Sequence, residues 1–152
     1  MVYKTIISID DLKNNLNNDD FLIFDSRCDI KDSGYGIDSY TEGHIPNSIF
    51  VDVDTDLASE KRPGTGRHPL PDPNTFSEKL SHWGMSNNKQ VVVYDDAGGA
   101  FAGRLWWMLK WLGHEAVAVL DGGLNSWVKG GNKLVTTPTV FEKAHFEPCV
   151  QE

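Results

Sequence analysis

A short apolar run that ends in two adjacent carboxylates is the part of this sequence best placed to carry chemistry. Residues 90–94 predict a buried strand, and Asp95, Asp96 and a Gly-Gly pair follow it within a few positions. A helical pattern begins directly afterwards, at residue 100. A strand, a tight loop and a helix N-terminus form a common site in open α/β sheets, because the free N–H groups of the helix face the loop.

The residue types in this loop limit what it can do. No Cys, Ser, Thr or Lys occurs between residues 95 and 103. A strand-end Asp can accept a phosphoryl group, but phosphatases of that kind usually carry a second acid two residues later, where this chain has Ala97. Two neighbouring carboxylates also disfavour an anionic ligand. The sequence therefore predicts an active-site architecture whose usual nucleophile is missing.

Other candidates lie at the ends of other predicted strands. Asp25 and Asp121 each follow an apolar run, and parallel strands would bring them to the same sheet edge as Asp95. A solvated strand end explains Asp25 and Asp121 equally well. Cys28 lies near this edge beside Arg27, whose charge would favour a thiolate, and an ordinary free thiol is the alternative.

Composition excludes several classes of function. The net charge of −8 argues against nucleic acid and anionic membrane surfaces as partners. No apolar run approaches the roughly 20 residues of a membrane span, and the N-terminus lacks the apolar region of a signal peptide. The five histidines show no metal-ligand spacing, so we expect no metal and no cofactor. Two cysteines form no disulfide framework, and the cytoplasm is the expected compartment.

Strand and helix patterns alternate along the chain, which predicts an α/β fold with a central, mostly parallel sheet and helices on both faces. The predicted strands are 21–24, 48–51, 91–94 and 116–120. The predicted helices are 9–16, 73–83, 100–112 and 124–129, with a helical turn at 40–43 and a long loop over 60–74.

The ordered set of motifs resembles the rhodanese family. The motifs are Asp25-Ser26-Arg27, Tyr40-Thr41-Glu42-Gly43-His44-Ile45-Pro46-Asn47-Ser48, Val91-Val92-Val93-Tyr94-Asp95, Arg104-Leu105-Trp106-Trp107, Gly113-His114 and Leu120-Asp121-Gly122-Gly123-Leu124-Asn125-Ser126-Trp127. The resemblance is closest to the N-terminal half of two-domain sulfurtransferases of the thiosulfate and 3-mercaptopyruvate type. It implies a three-layer α/β/α domain over residues 5–131 with about five strands. It also implies that 132–152 is a linker towards an absent C-terminal domain.

The same resemblance implies a non-catalytic domain. Catalytic rhodanese domains carry a Cys after the strand that residues 91–94 match, and here Asp95 occupies that nucleophile position. The partner would be a C-terminal rhodanese domain that bears the Cys, and small sulfur-donor anions and thiol acceptors would bind through it. The alternative is a stand-alone regulatory or binding module without enzymatic activity.

Four residues are candidates for contacts with substrate or with the other domain: Arg67, His68, Asp96 and Arg104. In two-domain relatives the region of Arg67 and His68 approaches the domain interface, although a plain surface loop is the competing interpretation. We also expect the loop after residue 94 to lack the compact ring of N–H donors found in active relatives. The tail after residue 131 carries spaced apolar residues, which predicts a strap packed partly on its own domain.

Overall fold

Five parallel strands form one sheet in the computed structural model, which describes residues 2–59, 64 and 69–151. The strands are β1 (Ile6–Ile7), β2 (Phe21–Asp25), β3 (Ser48–Phe50), β4 (Gln90–Tyr94) and β5 (Val117–Leu120). Their order across the sheet is β1-β5-β4-β2-β3, and every neighbouring pair is parallel. The predicted parallel sheet of about five strands is confirmed. Because all strands point the same way, Asp25, Asp95 and Asp121 lie at one edge, as predicted.

Helices cover both faces of this sheet. They are α1 (Ile9–Asn14), α2 (Tyr35–Glu42), α3 (Pro73–His82), α4 (Ala102–Trp111) and α5 (Gly123–Lys129). The core divides accordingly: Val91 and Val93 of β4 pack in a cluster with α3 and α4, while Val92 and Tyr94 pack in a second cluster with α1 and α5. The alternation follows from the two-residue period of a strand. The three-layer α/β/α architecture is confirmed.

The starts of α1 and α3 follow from capping residues that the sequence displays. Ser8 Oγ accepts a hydrogen bond from the N–H of Asp11 at 3.1 Å, which begins α1. Asp72 Oδ2 accepts from the N–H of Thr75 at 3.0 Å, and Pro73 stands at the first position of α3. No helix in the described ranges is both long and apolar enough to cross a membrane.

Two elements differ from the sequence prediction. β1 was not predicted, because two residues are too few to show an alternation; its pairing with β5 defines it. α2 is twice as long as the predicted turn. Its start has no side-chain cap and its only buried residue is Gly36, so the sequence carries few signals for its first residues. A Cβ at Gly36 would lie 2.2 Å from the carbonyl oxygen of Arg27, so only glycine allows α2 to pack this closely.

The tail packs on the domain as a strap, residues 135–151. Its first residue pairs with His44 in an isolated antiparallel bridge. Further along, Phe146 is 2% exposed and belongs to the core cluster that contains α3 and α4. The N–H of Cys149 donates to the carbonyl of Leu112 at 2.8 Å, just past the end of α4. The predicted packing of the tail is confirmed; that it leads to a second domain stays a prediction.

Candidate functional site

The carboxylate of Asp95 lies at the centre of the loop between β4 and α4. It is 1% exposed, and four backbone N–H groups donate to it. Ala97 and Gly99 donate to Oδ1, each at 3.0 Å. Phe101 and Ala102 donate to Oδ2 at 2.9 and 2.8 Å. Four charge-assisted hydrogen bonds compensate the burial of this anion, together with the dipole of α4.

Glycines allow the chain to close around the carboxylate. Gly98 and Gly99 have φ of 70° and 94°, a region that other residues rarely adopt. A third glycine lets α5 approach: a Cβ on Gly123 would lie 2.6 Å from the carbonyl oxygen of Asp95. That oxygen accepts the N–H of Leu124 at 2.9 Å. The site is therefore held from β4, α4 and the start of α5 together.

The expectation that this loop lacks a ring of N–H donors is wrong. The donors are present, and they converge on the side chain of the residue that follows β4. The acidic side chains of this loop carry no signal for the ring, because it is built from backbone N–H groups. A ring of this kind stabilises any buried anion at its centre, and in this chain the anion is the carboxylate of Asp95 itself.

Asp25 belongs to a buried ion pair rather than to a solvated strand end. It is fully buried, and Arg27 donates to it through Nε and through Nη2, the latter at 2.7 Å. Nη2 also donates to the carbonyl of Gly43 at 2.7 Å, and Tyr94 donates its hydroxyl to Asp25 at 2.8 Å. Burial lowers the pKa of Arg27, but the hydrogen bonds and charge of Asp25 raise it by more. This pair fixes the segment before β3 against the sheet.

Asp96 is half-buried and pairs with a residue that the sequence argument did not single out. The hydroxyl of Tyr35, in the first turn of α2, donates to its carboxylate. This hydrogen bond, followed by burial, raises the pKa of Tyr35. Asp96 therefore faces α2, while Asp95 faces its own loop. The two carboxylates are adjacent in sequence but have separate partners.

The other candidate residues are only partly brought together. Arg104 lies in the first turn of α4, and its Nη2 donates to the carbonyl of Leu57 at 2.9 Å, which joins the helix to the segment after β3. Burial lowers the pKa of Arg104. Arg67 and His68 lie outside the described residues, so their predicted role stays a prediction.

Cys28 does not have the environment of a reactive thiol. The neighbouring Arg27 turns its guanidinium towards Asp25, so the expected stabilisation of a thiolate is absent. Burial raises the pKa of the Cys28 thiol to about 11, with further contributions from Asp54 and Asp52. A thiol with this pKa is almost entirely protonated near neutral pH and is a poor nucleophile.

Comparison with known proteins agrees with the fold. A family model described as a rhodanese-like domain matches residues 8–130. The chain belongs to the rhodanese family. It is 42% identical over 144 residues to a probable 3-mercaptopyruvate sulfurtransferase of Pseudomonas aeruginosa, covering 93% of this chain and 51% of that protein. It is 38% identical over 127 residues to a mitochondrial thiosulfate/3-mercaptopyruvate sulfurtransferase of Arabidopsis thaliana, covering 83% and 33%.

Solved structures of sulfurtransferases superpose closely on this one. A 3-mercaptopyruvate sulfurtransferase from Leishmania major matches with a TM-score of 0.87 at 30% identity, over 97% of this chain and 42% of that chain. A 3-mercaptopyruvate sulfotransferase from Escherichia coli matches with a TM-score of 0.85 at 27% identity, over 99% and 58%. This rhodanese chain thus spans about half, or less, of the curated relatives described above.

Two tyrosines that the sequence argument left aside organise the edge of the sheet. Tyr94 ends β4 and is fully buried; its hydroxyl donates to Asp25 and accepts the N–H of Ile45 at 3.1 Å. Tyr35 holds Asp96 as described above. The role of Tyr94 could have been predicted, because a tyrosine at the end of a buried apolar strand needs a hydrogen-bond partner for its hydroxyl. The sequence carries no comparable signal for Tyr35.

Proposed function

We propose that this chain is the N-terminal, non-catalytic half of a two-domain sulfurtransferase and supports the active site of a cysteine-bearing rhodanese domain. The observation that carries the proposal is the carboxylate of Asp95 in the ring of N–H donors. The names of the relatives, thiosulfate and 3-mercaptopyruvate sulfurtransferases, support the class of reaction.

Sulfur transfer needs a thiolate that can accept a sulfur atom and release it. A carboxylate oxygen is a much poorer nucleophile towards sulfur than a thiolate, and both oxygens of Asp95 already accept two hydrogen bonds each. An anionic donor such as thiosulfate would also be repelled, by about 1 kcal/mol per close charge pair in water and by more in a desolvated site. The loop therefore has N–H donors that could stabilise a sulfur anion, but it lacks the thiolate that sulfur transfer needs.

Neither cysteine replaces the missing nucleophile. Cys28 has a pKa raised to about 11. Cys149 is exposed, and its N–H donates to the carbonyl of Leu112, just past the C-terminal end of α4. Asp95 lies before the N-terminal end of the same helix. The ten residues of α4 separate the two by about 15 Å of helix axis. We therefore assign the catalytic Cys to the other domain.

The contribution of this half is the face it presents to that domain. Asp96 and Arg104 are held at this edge of the sheet by Tyr35 and by the carbonyl of Leu57. We propose that this face, with Arg67 and His68, borders the cleft in which sulfur-donor anions and thiol acceptors bind. Arginine suits this role because its guanidinium pairs with small anions through two parallel hydrogen bonds.

Complementation tests this function. The chain is mixed with, or fused before, the half of the Pseudomonas aeruginosa relative that it does not cover, and thiocyanate formation from 3-mercaptopyruvate or thiosulfate with cyanide is measured. We expect activity from the pair and none from this chain alone, with a clear loss on Arg67→Ala. Lys143→Ala, on the strap, is the matched control for removing a positive charge. A stand-alone binding module would add nothing to the other half.

A further inference from the structure

The outer side of α4 carries a stacked pair of tryptophans. Trp107 is 47% exposed, and its ring stacks on that of Trp111, with centroids 6.2 Å apart and planes 9° apart. Trp111 packs in turn against the core cluster that contains α3 and α4. Trp106 has a different role, because its Nε1 donates to the carbonyl of Lys4 at 3.0 Å and so holds the N-terminal segment. The pair therefore presents an ordered, flat aromatic surface to solvent.

The strap ends beside this pair. The N–H of Gln151 donates to the carbonyl of Trp111 at 2.7 Å. Val150, one residue earlier, is 44% exposed, which adds an apolar side chain next to the rings. We call Trp107, Trp111 and Val150 the tryptophan face. It follows α4 from its middle to its C-terminal end.

A glycine fixes the path of the strap at this point. Gly113 has a φ of 83°, and a Cβ on it would lie 2.6 Å from the carbonyl oxygen of Cys149. Only glycine allows the strap to pass this close to the end of α4. The N–H of Cys149 then donates to the carbonyl of Leu112 at 2.8 Å. The position of residue 151 relative to α4 is therefore set by the domain itself.

The two ends of α4 have separate places in the two-domain protein of the proposed function, on which this inference rests. The N-terminal end meets the Asp95 loop, which borders the cleft. The C-terminal end holds Gln151, after which the second domain would be joined. About 15 Å of helix axis separates these ends, and a small domain is about 30 Å across. A domain joined at one end that contributes to the cleft at the other therefore lies along α4.

We infer that the tryptophan face is the docking surface for the cysteine-bearing rhodanese domain, with Trp107 near the centre of the contact. Tryptophan is enriched at the centres of interfaces, because its large, rigid ring buries much apolar area. Gly103 lies one turn before Trp107 on the same stripe of the helix. A Cβ at Gly103 would meet no atom within 4 Å, so a notch is open beside the ring. The partner domain fills this notch and covers the ring.

A second copy of this chain suits the face less well. Each copy carries a net charge of −8, so two copies repel each other. A second copy would also cover the end of the strap, where the two-domain protein needs room for the chain to continue. The partner is therefore the domain that follows in the same polypeptide.

Hydroxyl-radical footprinting tests the contact. The rate at which the Trp107 ring is oxidised is measured in this chain alone and in the fusion with the half of the Pseudomonas aeruginosa relative that it does not cover. We expect the rate to fall about 3-fold or more in the fusion, because the centre of an interface excludes water. Val128 is exposed on α5, at the opposite face of the sheet. It should react equally in both proteins and is the internal reference.

A variant that blocks the notch leaves the ring in place. Gly103→Arg adds a long charged side chain one turn before Trp107, whereas Asn125→Arg adds the same side chain at an exposed position of α5. In the fusion, we expect Trp107 of Gly103→Arg to react about as fast as in the chain alone, and Trp107 of Asn125→Arg to stay protected. Protection that survives in Gly103→Arg would overturn the proposal. So would protection in the chain alone that grows with its concentration, which would assign the face to a second copy.

The docking surface and the proposed function can fail separately. Thiocyanate formation by the fusion reports on the function, and oxidation of Trp107 reports on the contact. An active fusion in which Trp107 reacts as fast as in the chain alone would overturn the docking surface and leave the function standing. An inactive fusion that protects Trp107 would support the docking surface and contradict the function.

Discussion

The carboxylate of Asp95 accepts the backbone N–H of Ala102, the first residue of α4, at 2.8 Å. This bond places a fixed negative charge at the N-terminus of the helix, with three more N–H groups around it. In this member of the rhodanese family the donors that could stabilise a sulfur anion are therefore saturated by the protein itself.

Replacing the carboxylate by its neutral amide should destabilise the domain. Asp95→Asn keeps one acceptor oxygen, but its NH₂ group faces two N–H groups that lose their partner. Buried donors without a partner, together with the lost charge, should lower the free energy of unfolding by about 3 kcal/mol. Urea denaturation measures this. Asp96→Asn is the matched control, since the amide oxygen can still accept from Tyr35, and it should cost under about 1 kcal/mol. Equal losses in the two variants would show that the ring adds nothing.

A thiol at position 95 should be acidic. In Asp95→Cys, made with Cys28 and Cys149 replaced by Ser, the N–H groups would face the sulfur and favour its thiolate. We expect the pKa of the new thiol to lie below about 7.5. The pH dependence of its alkylation by iodoacetamide gives the value. An ordinary or raised pKa would mean that the ring collapses without a carboxylate, or that Asp96 outweighs it.

The two native thiols should differ sharply in reactivity. With a pKa of about 11, the Cys28 thiol is ionised to about one part in a thousand at pH 8, and its labelling should rise steadily as the pH approaches that value. Cys149 is exposed and should label quickly. Disulfide-exchange labelling of Cys149→Ser reports on the Cys28 thiol alone, and labelling of Cys28→Ser reports on the Cys149 thiol alone. Rapid labelling of Cys28 at neutral pH would contradict its assigned environment.

The strap should contribute to stability through one aromatic anchor. Phe146 is 2% exposed in the core cluster, so Phe146→Ala should lower the free energy of unfolding by about 3 kcal/mol or more. Val140, on the same strap, is 93% exposed, and Val140→Ala should change it by less than about 0.5 kcal/mol. If both variants were as stable as the native chain, the strap would contribute nothing to the stability of the domain.

Much of this architecture could be predicted from local sequence. The apolar runs that end at Asp25 and Asp95 predicted β2 and β4, and the predicted helices 9–16 and 73–83 begin where α1 and α3 begin, because capping and strand burial are local effects. The ring around Asp95 could not be predicted, because it depends on loop dihedral angles at Gly98 and Gly99 that only the folded chain reveals.

Pairings between distant segments also could not be predicted from the sequence. The bond from Tyr35 to Asp96 spans 61 positions and requires α2, which starts without a side-chain cap. Arg27 is a local case: its charge was expected to favour a thiolate at Cys28, but its guanidinium pairs with Asp25, two residues before it in the chain.

The most direct measurement is whether this domain itself takes up sulfur. The purified chain is incubated with thiosulfate or 3-mercaptopyruvate, and the intact mass is recorded before and after cyanide is added. We predict no cyanide-labile sulfur atom on the native chain, because Asp95 fills the site and the Cys28 thiol is protonated. A chain that gains one sulfur atom, loses it to cyanide as thiocyanate, and fails to do so as Cys28→Ser would contradict the proposed non-catalytic role.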